Sequence, residues 1–481
     1  MLLASNRAPV SFAQNNSRFS LAPGVGSLSA TLRKVVDRLP DTVKWIAVTT
    51  SELDREAVAH GGEALARAEL DFDLRFVPVD AMTYANYYEA VSNRLLWVAN
   101  HGLWDELGDG QSRGDEIAAW LHGYERVNAD VAEAVASAAA EDDVVTFQDY
   151  HLATAPAHLR ALRRHQAIAH FTHTPFASPA SLAHLPPQVA EELIRGMAGA
   201  DLIGFHTADW CEAFLDCCER YGIETDRGSG TLNCHGRSAW VRAYPLPIDV
   251  EVVRERAFAA PAEEWARRFA GLRSGPLVVR VDRVDPAKNV VRGFEAFRMV
   301  LDRRPDLRSA RFVACLYGTR QSMPEYRRYA EWIREAAAEV NTSHPEAIVL
   351  FMEESYDRAL GALRNYDVLI VNPVADGMNL VAKEGPAVNE HAGALVLSRG
   401  AGAFAELGDG AVAIGDPHSV EETADALERA LDMPPTERER NAALLRATVE
   451  GLTPADWFAA QLEDLREIVA NRPPTAPPPT T

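Results

Sequence analysis

The chain has 481 residues, 47% hydrophobic and 24% charged, with a formal net charge of -21. That length argues for two or three domains, and the composition excludes a fibrous or wholly disordered chain. An acidic surface repels nucleic acid and anionic lipid, so neither is an expected partner. A phosphorylated substrate would have to be held by local Arg, Lys and helix N-termini, which directs attention to isolated basic residues beside Gly-rich turns.

Residues 1–7 lack the basic n-region and long apolar stretch of a secretion signal. No apolar run reaches the roughly 18 residues that span a bilayer. The five cysteines, Cys211, Cys217, Cys218, Cys234 and Cys315, are odd in number and contain no CxxC pair. The expectation is a cytoplasmic protein with reduced, structural thiols. Next comes Ala22-Pro23-Gly24-Val25-Gly26-Ser27-Leu28, leading into Leu28, Leu32, Val35 and Val36 at helical spacing. Its glycines suit close approach of backbone to a ligand, and suit a plain strand-to-helix turn equally well. Apolar runs at 44–48, 74–79, 143–147 and 167–172 predict strands, and their alternation with amphipathic segments implies a mostly parallel α/β sheet. Asp149-Tyr150-His151 ends one of these strands and His173-Thr174-Pro175-Phe176 another, where α/β enzymes place working residues. His173 is read as a hydrogen-bond donor to a sugar hydroxyl, with a structural role the competing reading. No Cys, Asp or Glu stands close to His170 and His173 in sequence to complete a zinc set, so no metal site is expected.

Two prolines within Tyr244-Pro245-Leu246-Pro247-Ile248-Asp249 make a stiff connector, and strand runs resume at 276–281, 310–315, 347–351, 368–371 and 394–397. The expected domains are therefore 1–247 and 248–455, followed by a C-terminal helix at 456–472 that packs back on the first domain and a disordered Pro-rich tail at 473–481. Beyond the first of these runs, Arg283 and Lys288 stand in a turn where both can converge on one anion, a planar fork beside a point charge. A solvated charge cluster is the alternative. Beyond 368–371, Asp376 is a natural N-cap, and Met378, Asn379 and Leu380 follow with donor amides. Glu384 lies four residues after Leu380 on the same helical face, placed to take two ribose hydroxyls or simply to face solvent. Pro386 predicts a kink or early end to that helix.

Together these segments resemble the trehalose-phosphate synthase family of GT-B glycosyltransferases, from about residue 3 to about residue 465. The resemblance rests on Ser5-Asn6-Arg7, Tyr87-Tyr88 with Ser92-Asn93 and Trp97, Arg126-Val127-Asn128, Asp149-Tyr150-His151, His173-Thr174-Pro175-Phe176, Asp201-Leu202-Ile203-Gly204-Phe205, Arg283 with Lys288, and the run from Asp376 to Glu384. It implies an α/β GT-B fold, two doubly wound Rossmann-like domains facing across a cleft. It also implies a retaining, metal-independent transferase without cofactor, moving glucose from GDP- or UDP-glucose to glucose 6-phosphate to make trehalose 6-phosphate.

By the same resemblance, Arg283 and Lys288 hold the donor diphosphate, assisted by Gly26 and the amides of Met378, Asn379 and Leu380. Glu384 binds the ribose, while Asp376 and His173 hold hydroxyls of the transferred glucose. Arg7, Tyr88 and Arg320 grip the acceptor phosphate, and Trp45, Trp97 and Asp149 shape the acceptor pocket. The chain departs from the family at Ser27, Pro247, Asn289 and Gly385-Pro386. Several departures resemble the validamycin-type pseudoglycosyltransferases, which couple a GDP-activated cyclitol to an aminocyclitol phosphate, and tilt the expectation towards GDP-glucose. Glucosylglycerol-phosphate synthesis and a silent sugar-phosphate sensor are the remaining alternatives, and homo-oligomer formation is left open.

Overall fold

The computed structural model describes residues 1–15, 18–24, 27–38, 43–107 and 113–471. The chain divides into two units. One comprises residues 1–100, 109–244 and the segment from Pro454 onward; the other comprises residues 101–108 and 245–453. Gly26 and the tail expected at 473–481 lie outside the described residues.

Among the described residues the first unit is built on a nine-stranded sheet. Asp73–Val77, Lys44–Val48, Leu2–Ser5, Val144–Gln148, Ala167–Phe171, Leu202–Phe205 and Arg237–Ala243 lie side by side and parallel. Thr231–Cys234 and Glu224–Asp226 add an antiparallel edge. Counted along the chain, the parallel strands run third, second, first, fourth, fifth, sixth, then Arg237–Ala243, so the winding reverses between Leu2–Ser5 and Val144–Gln148. A hairpin, Val10–Asn15 with Arg18–Pro23, follows the first strand. The C-terminal helix Pro454–Ala470 lies against Ala167–Phe171 and Leu202–Phe205, burying Trp457, Phe458, Leu462 and Leu465.

The second unit holds a six-stranded, wholly parallel sheet in the order Ile348–Phe351, Arg311–Tyr317, Leu277–Arg283, Val368–Val371, Ala394–Ser398, Val412–Ile414. Its winding reverses between Leu277–Arg283 and Val368–Val371, the position where doubly wound sheets open a crevice at their carboxyl edge. Both faces are covered, so alternate residues of one strand serve different cores. Val278, Phe312, Val368 and Ile370 pack with Phe294 and Phe297 on one side. Val279, Val281, Leu369 and Val371 pack with Phe269, Leu360 and Leu363 on the other.

The strands read from the sequence are present, with ends moved by at most two residues. Helix Ser27–Val36 carries the stripe at 28–36. Pro386 lies inside helix Val381–Val388, which stops two residues beyond it. All five cysteines are buried and free. Among the described residues no helix is long and apolar enough to cross a membrane.

Candidate active site

In the second unit the sequence-predicted residues gather at the winding reversal. Arg283 is the last residue of Leu277–Arg283, and Lys288 closes the short 3-10 turn Pro286–Lys288. Asp285, fully buried, caps that turn by accepting from the Ala287 N–H at 3.0 Å. The Lys288 ammonium is ion-paired with Asp376 and lies 3.9 Å from Asp282. Burial opposes the charge on Lys288, yet Asp376 and Asp282 raise its pKa. Burial likewise works against the Asp376 carboxylate, but Lys288 and then Arg283 outweigh it and lower its pKa. Asp282 goes the other way, since desolvation pushes it up to about 6 against the pull of Arg280 and Lys288. The site therefore concentrates fixed charge of both signs at a largely buried sheet edge, where charges interact more strongly than in water.

Asp376 does not cap the helix that follows, contrary to the sequence expectation. The helix starts at Val381 with Leu380 at its N-cap. Asn379 intervenes with φ +69°, a left-handed residue that separates Asp376 from the first turn. The Asp376 carboxylate is instead shared by Lys288 and the Asn379 amide, whose Nδ2 donates at 3.0 Å. Among the described residues the main-chain N–H groups of Met378, Asn379 and Leu380 have no hydrogen-bond partner, so three donors open onto the helix start. Glu384 accepts from the Tyr356 hydroxyl at 3.1 Å.

A loop that the sequence reading passed over supports this segment. Asp376 N–H donates to Gly400 and Gly402 N–H donates to Asp376, both at 2.9 Å. A Cβ at Gly400 would stand 2.2 Å from the Val374 carbonyl, and one at Gly402 1.9 Å from the Gly377 carbonyl, so no side chain fits at either position. The signal was legible: Gly-Ala-Gly begins three residues after the end of the predicted strand at 394–397.

In the first unit a second constellation forms at its own winding reversal. Arg7 Nη2 donates to the Tyr88 hydroxyl at 2.9 Å. The Tyr88 ring stacks on His151 at 5.7 Å, and His151 Nδ1 lies 3.3 Å from Asp149. Asp149 also accepts from the His173 N–H at 3.1 Å. Burial would raise the Asp149 pKa, but His151 and then His173 hold it well below the usual carboxylate range. Its backbone takes φ +76°, unusual for a non-glycine residue and characteristic of functional strand ends. Trp97 is buried beside Tyr150, with ring centroids 6.1 Å apart.

Tyr88 rides on a π-helix, Ala85–Leu96. Ser92 Oγ donates to the Tyr87 carbonyl and Asn93 Nδ2 to the Tyr88 carbonyl, each at 2.8 Å and five residues back. These side chains fit the widened turn and explain the Ser92-Asn93 pair. Asn128 is fully buried and ties its helix to the Asp149 loop, donating to the His151 carbonyl at 3.1 Å and accepting from Ala155 N–H at 2.9 Å.

Two expectations change in detail. His173 was expected to donate to a sugar, but its Nε2 donates to Gln148 Oε1 at 3.0 Å. Burial holds the ring neutral, with its pKa lowered to about 4. Nδ1 is then left as an acceptor for a hydroxyl. Trp45 is fully enclosed and donates to Ser5 Oγ at 2.8 Å, and Ser5 Oγ in turn donates to the Arg7 carbonyl at 2.8 Å, so Trp45 supports the Arg7 segment rather than lining a pocket. Arg320, expected on the acceptor phosphate, belongs to the second unit and donates to Asp285 at 2.8 Å and to Tyr326 at 3.0 Å. There it steadies the carboxylate that caps the Lys288 turn.

The profile of glycosyltransferase family 20 matches residues 1–467. The chain belongs to this family. One relative, the trehalose-6-phosphate synthase of Mycobacterium sp. (strain KMS), is 31% identical over 495 residues, covering 98% of this chain and 96% of its own. The validamine 7-phosphate valienyltransferase of Streptomyces hygroscopicus subsp. jinggangensis (strain 5008) is 29% identical over 491 residues, covering 99% of this chain and 96% of its own. The crystal structure of an alpha,alpha-trehalose-phosphate synthase (UDP-forming) from Burkholderia xenovorans in complex with glucose-6-phosphate matches with a TM-score of 0.79 at 29% identity, covering 97% of this chain and 99% of that one. This protein is thus a family 20 glycosyltransferase of the GT-B fold class.

Proposed function

We propose that this enzyme transfers glucose from a nucleoside-diphosphate glucose to glucose 6-phosphate, with retention at the anomeric carbon, giving α,α-trehalose 6-phosphate. The observation that carries it is the convergence of Lys288, Asp376 and Arg283 at the winding reversal of the second sheet. A departing diphosphate gathers negative charge, and two cations with the amides of Met378, Asn379 and Leu380 stabilise it without reorganising. The donor's ribose falls to Glu384 and its glucose to Asp376. The acceptor falls to the first unit, with Arg7 and Tyr88 on its phosphate and Asp149 and Trp97 on its sugar. Same-face attack lets the leaving phosphate take the acceptor proton, so no enzymic nucleophile is nominated.

Support for the substrates comes from the relatives: the 31% identical Mycobacterium protein is a trehalose-6-phosphate synthase, and the Burkholderia xenovorans enzyme is UDP-forming and binds glucose 6-phosphate. The valienyltransferase relative keeps a second reading in play, transfer of an activated cyclitol to an aminocyclitol phosphate. One panel separates them. UDP-, GDP- and ADP-glucose are offered with glucose 6-phosphate, glycerol 3-phosphate and an aminocyclitol phosphate, and products are assigned by NMR. Trehalose 6-phosphate with both anomeric centres α is expected, from UDP- or GDP-glucose. Turnover of another acceptor with none of glucose 6-phosphate would overturn the assignment. Silence of every pair would favour a sugar-phosphate sensor, which the presence of both Arg283 and Lys288 argues against.

A further inference from the structure

Arg280 was given no role by its sequence position, yet it is one of the largest fully buried side chains in the protein. It sits in the middle of strand Leu277–Arg283, three residues before Arg283. Its guanidinium faces four groups. Nε lies 3.1 Å from Asp282 Oδ2. Nη2 donates to the Lys288 carbonyl at 3.0 Å, Nη1 donates to the Asn289 carbonyl at 3.3 Å, and Nη2 donates also to Asn372 Oδ1. Gly293 makes the room, since a Cβ there would stand 2.8 Å from Nη1.

These partners come from both loops of the donor cradle. Lys288 and Asn289 end the turn after Leu277–Arg283; Asn372 opens the loop that runs from Val368–Val371 to Asp376. Asn289 needs a hold of this kind. Its φ is +59°, a conformation glycine adopts freely and other residues resist. Its side chain is spent on fixing the same junction, donating to the carbonyls of Asn372 at 3.1 Å and Pro417 at 2.6 Å. Asp282, the ionic partner of Arg280, is itself 3.9 Å from the Lys288 ammonium.

We propose that Arg280 is the positioning residue of the donor site: from beneath the sheet edge its planar fork locks the Lys288 turn to the Asn372–Asp376 loop and so fixes the ammonium that meets the diphosphate. The inference rests on the donor reading of that site, but its test includes a nucleotide Kd that does not depend on turnover. A lysine cannot reproduce the fork, because one compact ammonium does not reach three acceptors in a plane. Arg280→Lys keeps a charge opposite Asp282, and Asn372→Ala cuts the tie from the far side with the Arg280–Asp282 pair intact.

The test measures calorimetric Kd for UDP and GDP, KM for donor and acceptor, and thermal unfolding of the full chain. Both variants are expected to bind the better nucleotide about tenfold more weakly, the scale of one lost charge-assisted hydrogen bond, and to raise donor KM with acceptor KM unchanged. A residue that served stability alone would lower the melting temperature and the active fraction but leave Kd and donor KM at wild-type values, and that result in either folded variant overturns the proposal. If Arg280→Lys does not fold, Asn372→Ala decides. Wild-type protein that binds UDP or GDP without transferring glucose would sink the proposed reaction and leave the Arg280 measurement standing.

Discussion

At the residue scale the site depends on charges that cannot be removed singly. Lys288 lies between two carboxylates, Asp282 buried and Asp376 mostly so, and its loss strips the diphosphate of a partner and leaves Asp376 and Asp282 without the cation between them. Lys288→Ala is expected to lower kcat by about 10²–10³, the effect of removing one preorganised group opposite developing charge, with circular dichroism confirming the fold. A folded variant within threefold of the wild-type rate would exclude Lys288 from leaving-group stabilisation. The histidines carry a pH signature. Burial lowers the pKa of both His170 and His173 to about 4 from an ordinary 6.5. Between those values the unfolded chain binds more protons than the folded one, so the stability they contribute is complete above pH 6.5 and is lost as pH falls towards 4. Each accounts for up to about 3 kcal/mol over that window at 1.36 kcal/mol per unit. Denaturant midpoints should therefore fall on acidification, and His170→Leu should flatten the fall. An unchanged pH slope in that variant would show that His170 protonates freely in the folded state.

At the scale of elements, what could be read from the sequence depended on length and pattern. Runs such as Leu277–Arg283 and Val368–Val371 are apolar throughout most of their length because both sheet faces are covered, and they were plain in the sequence. Leu2–Ser5 was missed although it is paired on both sides within its sheet, because four residues are too few to show a period and its identity comes from pairing with Lys44–Val48 and Val144–Gln148. The π-helix Ala85–Leu96 was invisible for a different reason. Its hydrophobic spacing resembles an ordinary helix, and the side chains that fit its wide turns, Ser92 and Asn93, read as plain polar residues. Asn93 also accepts from the Tyr150 hydroxyl at 3.2 Å, joining the Tyr88 turn to the Asp149 loop. Asn93→Ala leaves a buried carbonyl and hydroxyl short of partners, a cost of about 1–3 kcal/mol. It should raise KM for the acceptor more than for the donor, because Tyr88 and Asp149 lie on the first unit. Equal changes in both constants would reduce the π-turn to scaffold.

At the scale of the molecule, composition excluded much and located little. The net charge of -21 set nucleic acid aside and pointed to isolated cations, and Arg7, Arg283 and Lys288 are such cations at strand ends. The division of the chain was harder to read at 101–108, a segment that joins the second unit through contacts distant in sequence, which local periodicity does not encode. The C-terminal helix shows what a return of the chain does. Trp457 Nε1 donates to the Tyr244 carbonyl at 3.0 Å, the Tyr244 hydroxyl donates to Asp464, and the Trp457 ring lies 5.8 Å from His173. The helix thus closes the apolar face of Ala167–Phe171 and Leu202–Phe205 while holding the end of the first unit's main segment. Leu465 is fully buried there, so Leu465→Ala should cost about 2–5 kcal/mol through lost burial and the cavity left behind. Hydrogen exchange gives that cost an address. Amides of Ala167–Phe171 and Leu202–Phe205 should lose protection while those of Leu277–Arg283 and Val368–Val371, in the other unit, keep theirs. Equal loss in both sheets would mean that the two units unfold as one, and that the helix stabilises the whole chain rather than the unit it covers.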